Sequence, residues 1–232
     1  MARAESAVGE AGPGGGGTTA AVRASGSGKA YGSGGRVPEC ALSAGPYQRE
    51  VEAHLGLVVD GLQSPTDCEA IRAYQVKHEI EPAEGYAGLY TYRVVVWERA
   101  LAEGDAIEGC PDKGGMVVCV DKNRQILWVE KAGKVVLRPV PARTGMPGYG
   151  TRTGWFQIFR REEDFWSDLY GGPMPFAQFF SGGQALHGSY RPIFEDPGSY
   201  GCVNLRYEDA QALWNGVGLG DEVYVWGQRT GG

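Results

Sequence analysis

His187-Gly188 and, a short way on, Ser199-Tyr200-Gly201-Cys202-Val203-Asn204 bring an imidazole and a thiol into one glycine-containing stretch. A thiol is a weak nucleophile at neutral pH until a base takes its proton, so a catalytic cysteine needs a histidine within reach. His187 is the only histidine in the second half of the chain; the others are His54 and His78. In this chemistry Cys202 attacks a carbonyl, and His187 draws the thiol proton and later returns one to a leaving amine. Gly201 permits the sharp backbone that presents a thiol beside main-chain amides. Ser199, Tyr200 and Gly201, with the amide of Cys202, then form the loop of a candidate oxyanion hole. The imidazole also needs an orienting group. The carbonyl of Gly188 is the economical choice, and Asp196, Glu195 and Asp209 remain open. A single His and a single Cys are more often core residues than a catalytic pair, so the elements around them must decide.

Those elements read as α+β. Tyr47, Val51 and Leu55 recur four apart after Gly45-Pro46 and make one apolar stripe. Ser64-Pro65-Thr66-Asp67 is a helix start, with a capping serine, proline at the first helical position and an acid in the first turn. Ile71 and Tyr74 supply its buried face, and Thr91 is expected to cap a third helix carrying Val94, Val95 and Leu101. Beyond Cys110 the texture turns to strands. Met116–Val120, Ile126–Val129 and Val135–Leu137 are β-branched or aromatic runs separated by turn residues, an antiparallel meander. Further strands are expected at Trp155–Phe159, at Ala185-Leu186 leading into His187, and at Val223–Trp226. One helix interrupts them, from Glu208-Asp209 through Ala210, Leu213 and Trp214 to Gly216.

Composition limits the classes of function. A net charge of -6 without a basic stripe argues against nucleic-acid binding. No apolar run approaches the roughly 20 residues that span a bilayer, and the opening Met1-Ala-Arg-Ala-Glu-Ser lacks the apolar core of a secretory signal. The five cysteines are many for a reducing compartment and suggest four structural partners and one spare, Cys202. Cys40 with Cys68 and Cys110 with Cys119 is the expected pairing. Four cysteines allow three connectivities, and buried reduced cysteines are the alternative. The first 39 residues are rich in Gly, Ala and Ser and read as a flexible tail.

The string His-Gly, then Ser-x-Gly-Cys-Val-Asn-Leu, resembles the active-site signature of the L,D-transpeptidases, the YkuD-type catalytic domain. The resemblance extends through Asp121–Leu127, Pro139–Gly145, Thr151–Gly154 and Pro173–Phe180, and covers about Gly115 to Gly227. Upstream, Val51–Leu55, Val59-Asp60-Gly61, Ser64-Pro65-Thr66, Ala70–Gln75 and Gly85–Thr91 resemble the peptidoglycan-binding domain that accompanies cell-wall enzymes. The two resemblances imply an α+β chain: a small three-helix peptidoglycan-binding-like domain at 40–103, a linker at 104–114, a mostly β catalytic domain at 115–228 and a tail at 229–232.

They also imply a reaction. Cys202 attacks the carbonyl of the third residue of a peptidoglycan stem tetrapeptide, releases D-alanine as a thioester forms, and passes the acyl group to a neighbouring stem as a 3→3 cross-link. Carried over by position, His187 is the base, Gly188 its orienter, Ser199 and Gly201 the shaping loop and Asn204 a nearby polar contact. Carbapenems inhibit this family by acylating the same cysteine. Tyr200 stands where many members carry a second histidine. Met174 and Phe176 are expected in a wall or lid for the alkyl part of a stem, and Arg152 and Arg191 are candidates for its carboxylate. The implied setting is extracytoplasmic, with stem peptides as partners and no cofactor, metal, nucleic acid or membrane span. A cell-wall L,D-carboxypeptidase or cysteine peptidase and a noncatalytic wall-binding protein are the alternatives; the peptidase that commonly carries a wall-binding module places Cys before His, the reverse of the order here.

Overall fold

The computed structural model describes residues 38–194 and 196–229. The expected N-terminal tail, apart from its last two residues, lies outside them, as do Glu195 and residues 230–232 of the expected C-terminal tail.

Three helices come first: α1 (Gln48–Leu55), α2 (Pro65–Lys77) and α3 (Leu89–Glu103). The start of α2 is a capping box. The Ser64 hydroxyl accepts from the Asp67 amide, and the Asp67 carboxylate accepts from the Ser64 amide at 2.9 Å, so two helix-end donors are satisfied reciprocally. Helix α3 starts one turn earlier than expected. Gly88 is its cap, and Thr91 lies buried in the first turn, where its hydroxyl meets the Gln75 side-chain amide at 3.0 Å. A partner from α2 has taken up the threonine that local chemistry would assign to a cap. Val51, Ile71, Tyr74, Val94 and Val95 close into one apolar cluster, and a Cys40–Cys68 disulfide ties the segment before α1 to α2.

The rest is a curled nine-stranded sheet of strands β1 (Met116–Asp121), β2 (Ile126–Lys131), β3 (Lys134–Arg143), β4 (Gly154–Gln157), β5 (Arg160–Ser167), β6 (Gly172–Ser181), β7 (Gln184–Ser189), β8 (Val203–Arg206) and β9 (Glu222–Trp226). Their order is β4-β9-β1-β2-β3-β8-β7-β6-β5. The meander β1–β3 is antiparallel, while β9 runs parallel to β1 and β8 parallel to β7. Strand β3 bridges the two halves: its first part pairs with β2, and Ala142 and Arg143 at its end pair with Leu205 and Asn204 of β8. Helix α4 (Tyr207–Gly216) covers one face with Ala210 and Leu213 against Leu127, Leu186 and Leu205.

The hairpin β5–β6 has no clear sequence signal. Strand β5 is one of the two edge strands and is highly charged, as edges that must not pair further tend to be. Strand β6 contains Pro173 and Pro175, which pair only with β5; the ladder to β7 begins at Gln178, beyond the residues that lack an amide hydrogen.

By contacts, the chain from Pro38 onward forms one unit. Trp97 of α3 donates to the Pro139 carbonyl at 2.9 Å, and Ala100 and Ile107 pack with Val117, Ile126 and Trp128 of the sheet. The segment 104–114 is thus partly packed, and its Cys110 forms a disulfide with Cys119 of β1.

Candidate active site

The parallel register of β7 and β8 assembles the site. His187 lies directly opposite Asn204, and Cys202, just before β8, lies two residues back and so on the same face as Asn204. His187 and Cys202 are thereby brought to one side of the β7–β8 pair. Both line one cleft with Arg143, Met174, Ser199 and Tyr200.

The turn before Cys202 is held from outside. The Ser199 amide donates to the Thr144 carbonyl (3.1 Å), the Ser199 carbonyl accepts from the Met146 amide (2.9 Å), and the Thr151 hydroxyl donates to the Gly201 carbonyl (2.9 Å). Within the turn, the Ser199 hydroxyl donates to the Cys202 carbonyl at 2.5 Å and accepts from the Gly201 amide at 3.1 Å. The Gly201 amide, expected among oxyanion donors, is therefore committed to Ser199. Gly201 has φ +113°, and a Cβ there would sit 2.6 Å from the Gln184 side-chain nitrogen. The left-handed torsion is what calls for glycine here, since the end of the Gln184 side chain can shift aside.

The ring of His187 is almost wholly buried. Its Nδ1 is 2.7 Å from the Gly188 carbonyl oxygen, and its Nε2 is 2.8 Å from the Asn204 side-chain nitrogen. Gly188 is thus the group that meets Nδ1. Asp196 is instead paired with Arg93 and Arg229, and Asp209 with Arg206. Burial pushes the His187 imidazole down to about 4, and the Arg143 charge adds to this against the opposing pull of the Gly188 carbonyl. Burial pushes the Cys202 thiol up, partly offset by a backbone hydrogen bond to Ala185. The thiol is the single free cysteine among the described residues, and its Sγ is 3.9 Å from the Gly183 carbonyl oxygen. At neutral pH thiol and imidazole both rest uncharged, so the arrangement suits proton transfer during attack rather than a preformed ion pair.

Of the expected wall residues, Met174 lines the cleft beside Cys202, and Tyr200 stands at its rim, stacked on Tyr170 and edge-on to Tyr149. Phe176 does not join them. Its ring is buried in the main core against Tyr207 and Trp214, at a backbone φ of +58°. That local break in strand geometry disrupts the alternation from which its direction would be read. Arg152 is turned away, donating to the Ser181 carbonyl at 2.9 Å, whereas Arg191 lines the cleft.

A model of the YkuD L,D-transpeptidase catalytic domain matches residues 115–225. A crystal structure of an L,D-transpeptidase (Yku) from Stackebrandtia nassauensis is 39% identical, with a TM-score of 0.61, over 84% of this chain and 97% of that one. The chain belongs to the L,D-transpeptidase family. More distant are an L,D-transpeptidase from Xylanimonas cellulosilytica (23% identity, TM-score 0.46, 83% of this chain and 98% of that one) and L,D-transpeptidase 3 from Mycobacterium tuberculosis, solved with a faropenem-derived adduct (21%, 0.44, 49% and 60%). At that similarity the latter two bear on neither fold nor function. No curated protein is significantly similar. Among the described residues no helix is long and apolar enough to cross a membrane.

Within this member of the L,D-transpeptidase family, sequence reasoning left out two arginines beside the site. Arg143 is buried and donates to Asn204 Oδ1, the Pro192 carbonyl and the Ser189 hydroxyl. Arg229, placed in the expected tail, is a structural member: it pairs with Asp196 and donates to the Thr144 carbonyl at 3.3 Å. A basic residue directly before Thr144-Gly145, inside the stretch that carries the resemblance, was the available signal for Arg143.

Proposed function

We propose that the chain is a cysteine-dependent L,D-transpeptidase that forms 3→3 peptidoglycan cross-links through a thioester. The observation that carries this reading is the free Cys202 thiol opening onto the same cleft as His187, whose Nδ1 is engaged by Gly188. A carbonyl oxygen can only accept, so Nδ1 bears the proton and Nε2 is the basic atom. As the sulfur–carbon bond forms on the stem carbonyl, the thiol proton passes to Nε2. As the carbon–nitrogen bond to D-alanine breaks, that proton passes to the leaving amine. The turn amides of Tyr200 and Cys202, rather than those committed at Ser199 and Gly201, meet the oxyanion. Met174 receives the alkyl part of the third residue, and the cationic lining from Arg143 and Arg191 suits a carboxylate-bearing stem. Tyr200 occupies the rim in place of the family's second histidine, so the substrate-positioning role of that histidine is not carried over to it.

In this reading residues 40–103 are a peptidoglycan-binding-like module, the catalytic domain spans 115–228 and the protein works outside the cytoplasm at the cell wall. The paired cysteines support that setting. Product analysis tests the reaction. With disaccharide-tetrapeptide as sole substrate, mass spectrometry is expected to find released D-alanine and a dimer joined between third residues. D-alanine release without dimer would convert the assignment to an L,D-carboxypeptidase; turnover that persists in Cys202→Ala would remove the nucleophile.

A further inference from the structure

Asn204 stands between two fixed groups. Its Oδ1 accepts from Arg143 Nε (3.3 Å) and Nη2 (3.1 Å), and its Nδ2 is 2.8 Å from His187 Nε2. A guanidinium has only donors. Turning the amide over would set an NH2 group against them, so Arg143 dictates that Oδ1 faces β3 and Nδ2 faces the imidazole. An amide NH2 in turn requires a lone pair on Nε2, which places the ring proton on Nδ1, facing the Gly188 carbonyl. The tautomer of His187 is thus determined twice, from Gly188 on one side and from Arg143 through Asn204 on the other.

We propose that Arg143 is a positioning residue which, through Asn204, locks His187 in its Nδ1–H tautomer and keeps Nε2 unprotonated at rest, its lone pair accepting from the Asn204 NH2 until that hydrogen bond is given up for the Cys202 thiol proton. The proposal rests on the reading of Cys202 and His187 as nucleophile and base. Its catalytic meaning lies in the second half-step. Once Nε2 holds a proton it can no longer accept from the Asn204 NH2, and Arg143 prevents the amide from turning to offer Oδ1 instead. The imidazolium is an acid under pressure to release its proton, and the amine nitrogen of the departing group takes it. The positive charge of Arg143 acts in the same direction. The other ionisable groups around the ring are Cys202 ahead of β8, Arg191 after β7 and Tyr170 and Tyr200 at the rim; Asp209 of the overlying α4 is engaged by Arg206.

Nitrogen-15 NMR of the imidazole rings reads the tautomer directly. With three histidines in the chain, His54→Gln and His78→Gln assign the spectrum by difference. In the wild type we expect His187 with one protonated and one bare nitrogen down to below pH 5. Arg143→Met is expected to give mixed tautomers and a titration midpoint raised by about one unit or more, with the acid limb of the thiol acylation rate moving by the same interval. Arg143→Lys, which keeps a donor, restores the wild-type pattern in part. Asn204→Asp replaces the donor NH2 by a carboxylate oxygen and is expected to hold His187 protonated at pH 7. Wild-type tautomer and titration in Arg143→Met overturn the proposal. If that variant does not fold, an unprotonated His187 at pH 7 in Asn204→Asp overturns it instead. Meropenem labelling of the wild type is measured in parallel: its absence counts against the transpeptidase reading while the tautomer assignment stands on its own spectrum.

Discussion

The two halves of the molecule bury histidine in opposite ways. In the helical half, His54 and His78 both reach Glu98, with Nε2 atoms 2.9 Å and 3.2 Å from its two oxygens, and Tyr74 donates to the same carboxylate at 2.9 Å. In the sheet half, His187 meets a carbonyl, a side-chain amide and, behind the amide, an arginine. The Glu98 carboxylate pulls toward a protonated His78, although burial outweighs that pull, whereas the amide and guanidinium behind His187 oppose protonation. The same side chain is a structural strut in one place and, under the proposed function, the base in the other.

That contrast is broken most severely by exchanging the histidines for asparagine. His187→Asn is expected to slow acylation of Cys202 by about 10²–10⁴-fold, the usual contribution of a positioned base, while His54→Asn leaves the rate within about twofold. Stopped-flow quenching with a carbapenem measures both, and equal losses would erase the distinction.

A second contrast is the dependence of stability on pH. His187 is held down to about 4 against an ordinary 6.5, so the unfolded chain binds its proton first and stability is lost as pH falls from 6.5 toward 4. His78 is also lowered, by burial that outweighs the pull of Glu98. At Glu98 burial raises the carboxyl, but His54, Tyr74, His78 and Lys77 overcome it and hold it below 4.5, so its contribution disappears at still lower pH. Urea unfolding across this range is expected to show a decline of up to about 3 kcal/mol from His187, much reduced in His187→Asn and only slightly reduced in His78→Gln. A rise in stability on acidification would contradict these assignments.

Smaller effects sharpen the structural half. Glu98→Ala leaves Tyr74 and His54 without their shared acceptor and His78 without its neighbouring carboxylate, and is expected to cost about 1–3 kcal/mol, seen as a lower thermal midpoint with an unchanged acylation rate. The disulfides differ by loop length, with sequence separations of 28 for Cys40–Cys68 and 9 for Cys110–Cys119. Removing the former is expected to cost about 1 kcal/mol more than removing the latter, and equal midpoints for the two double-alanine variants would refute that.

What the sequence disclosed follows the same division between local and long-range causes. The capping box at Ser64, the meander β1–β3 and α4 were readable because their signals lie within a few residues. The glycine turn before Cys202 was readable for the same reason. Thr91 was misplaced because Gln75, from another helix, claims its hydroxyl. Phe176 was misdirected by a positive φ inside β6, and the Gly201 amide was misassigned because a serine two residues back accepts its hydrogen bond. Arg143 lies far from His187 in sequence, and its influence is visible only once β3 and β8 are paired through Arg143 and Asn204.

The central claim is that Cys202 is the reactive nucleophile of the sheet half, and intact-mass spectrometry after exposure to meropenem tests it most directly. One drug equivalent added to the wild type, mapped to Cys202 and absent from Cys202→Ala, is the predicted result. An unmodified wild type, or an adduct that survives in Cys202→Ala, would contradict it.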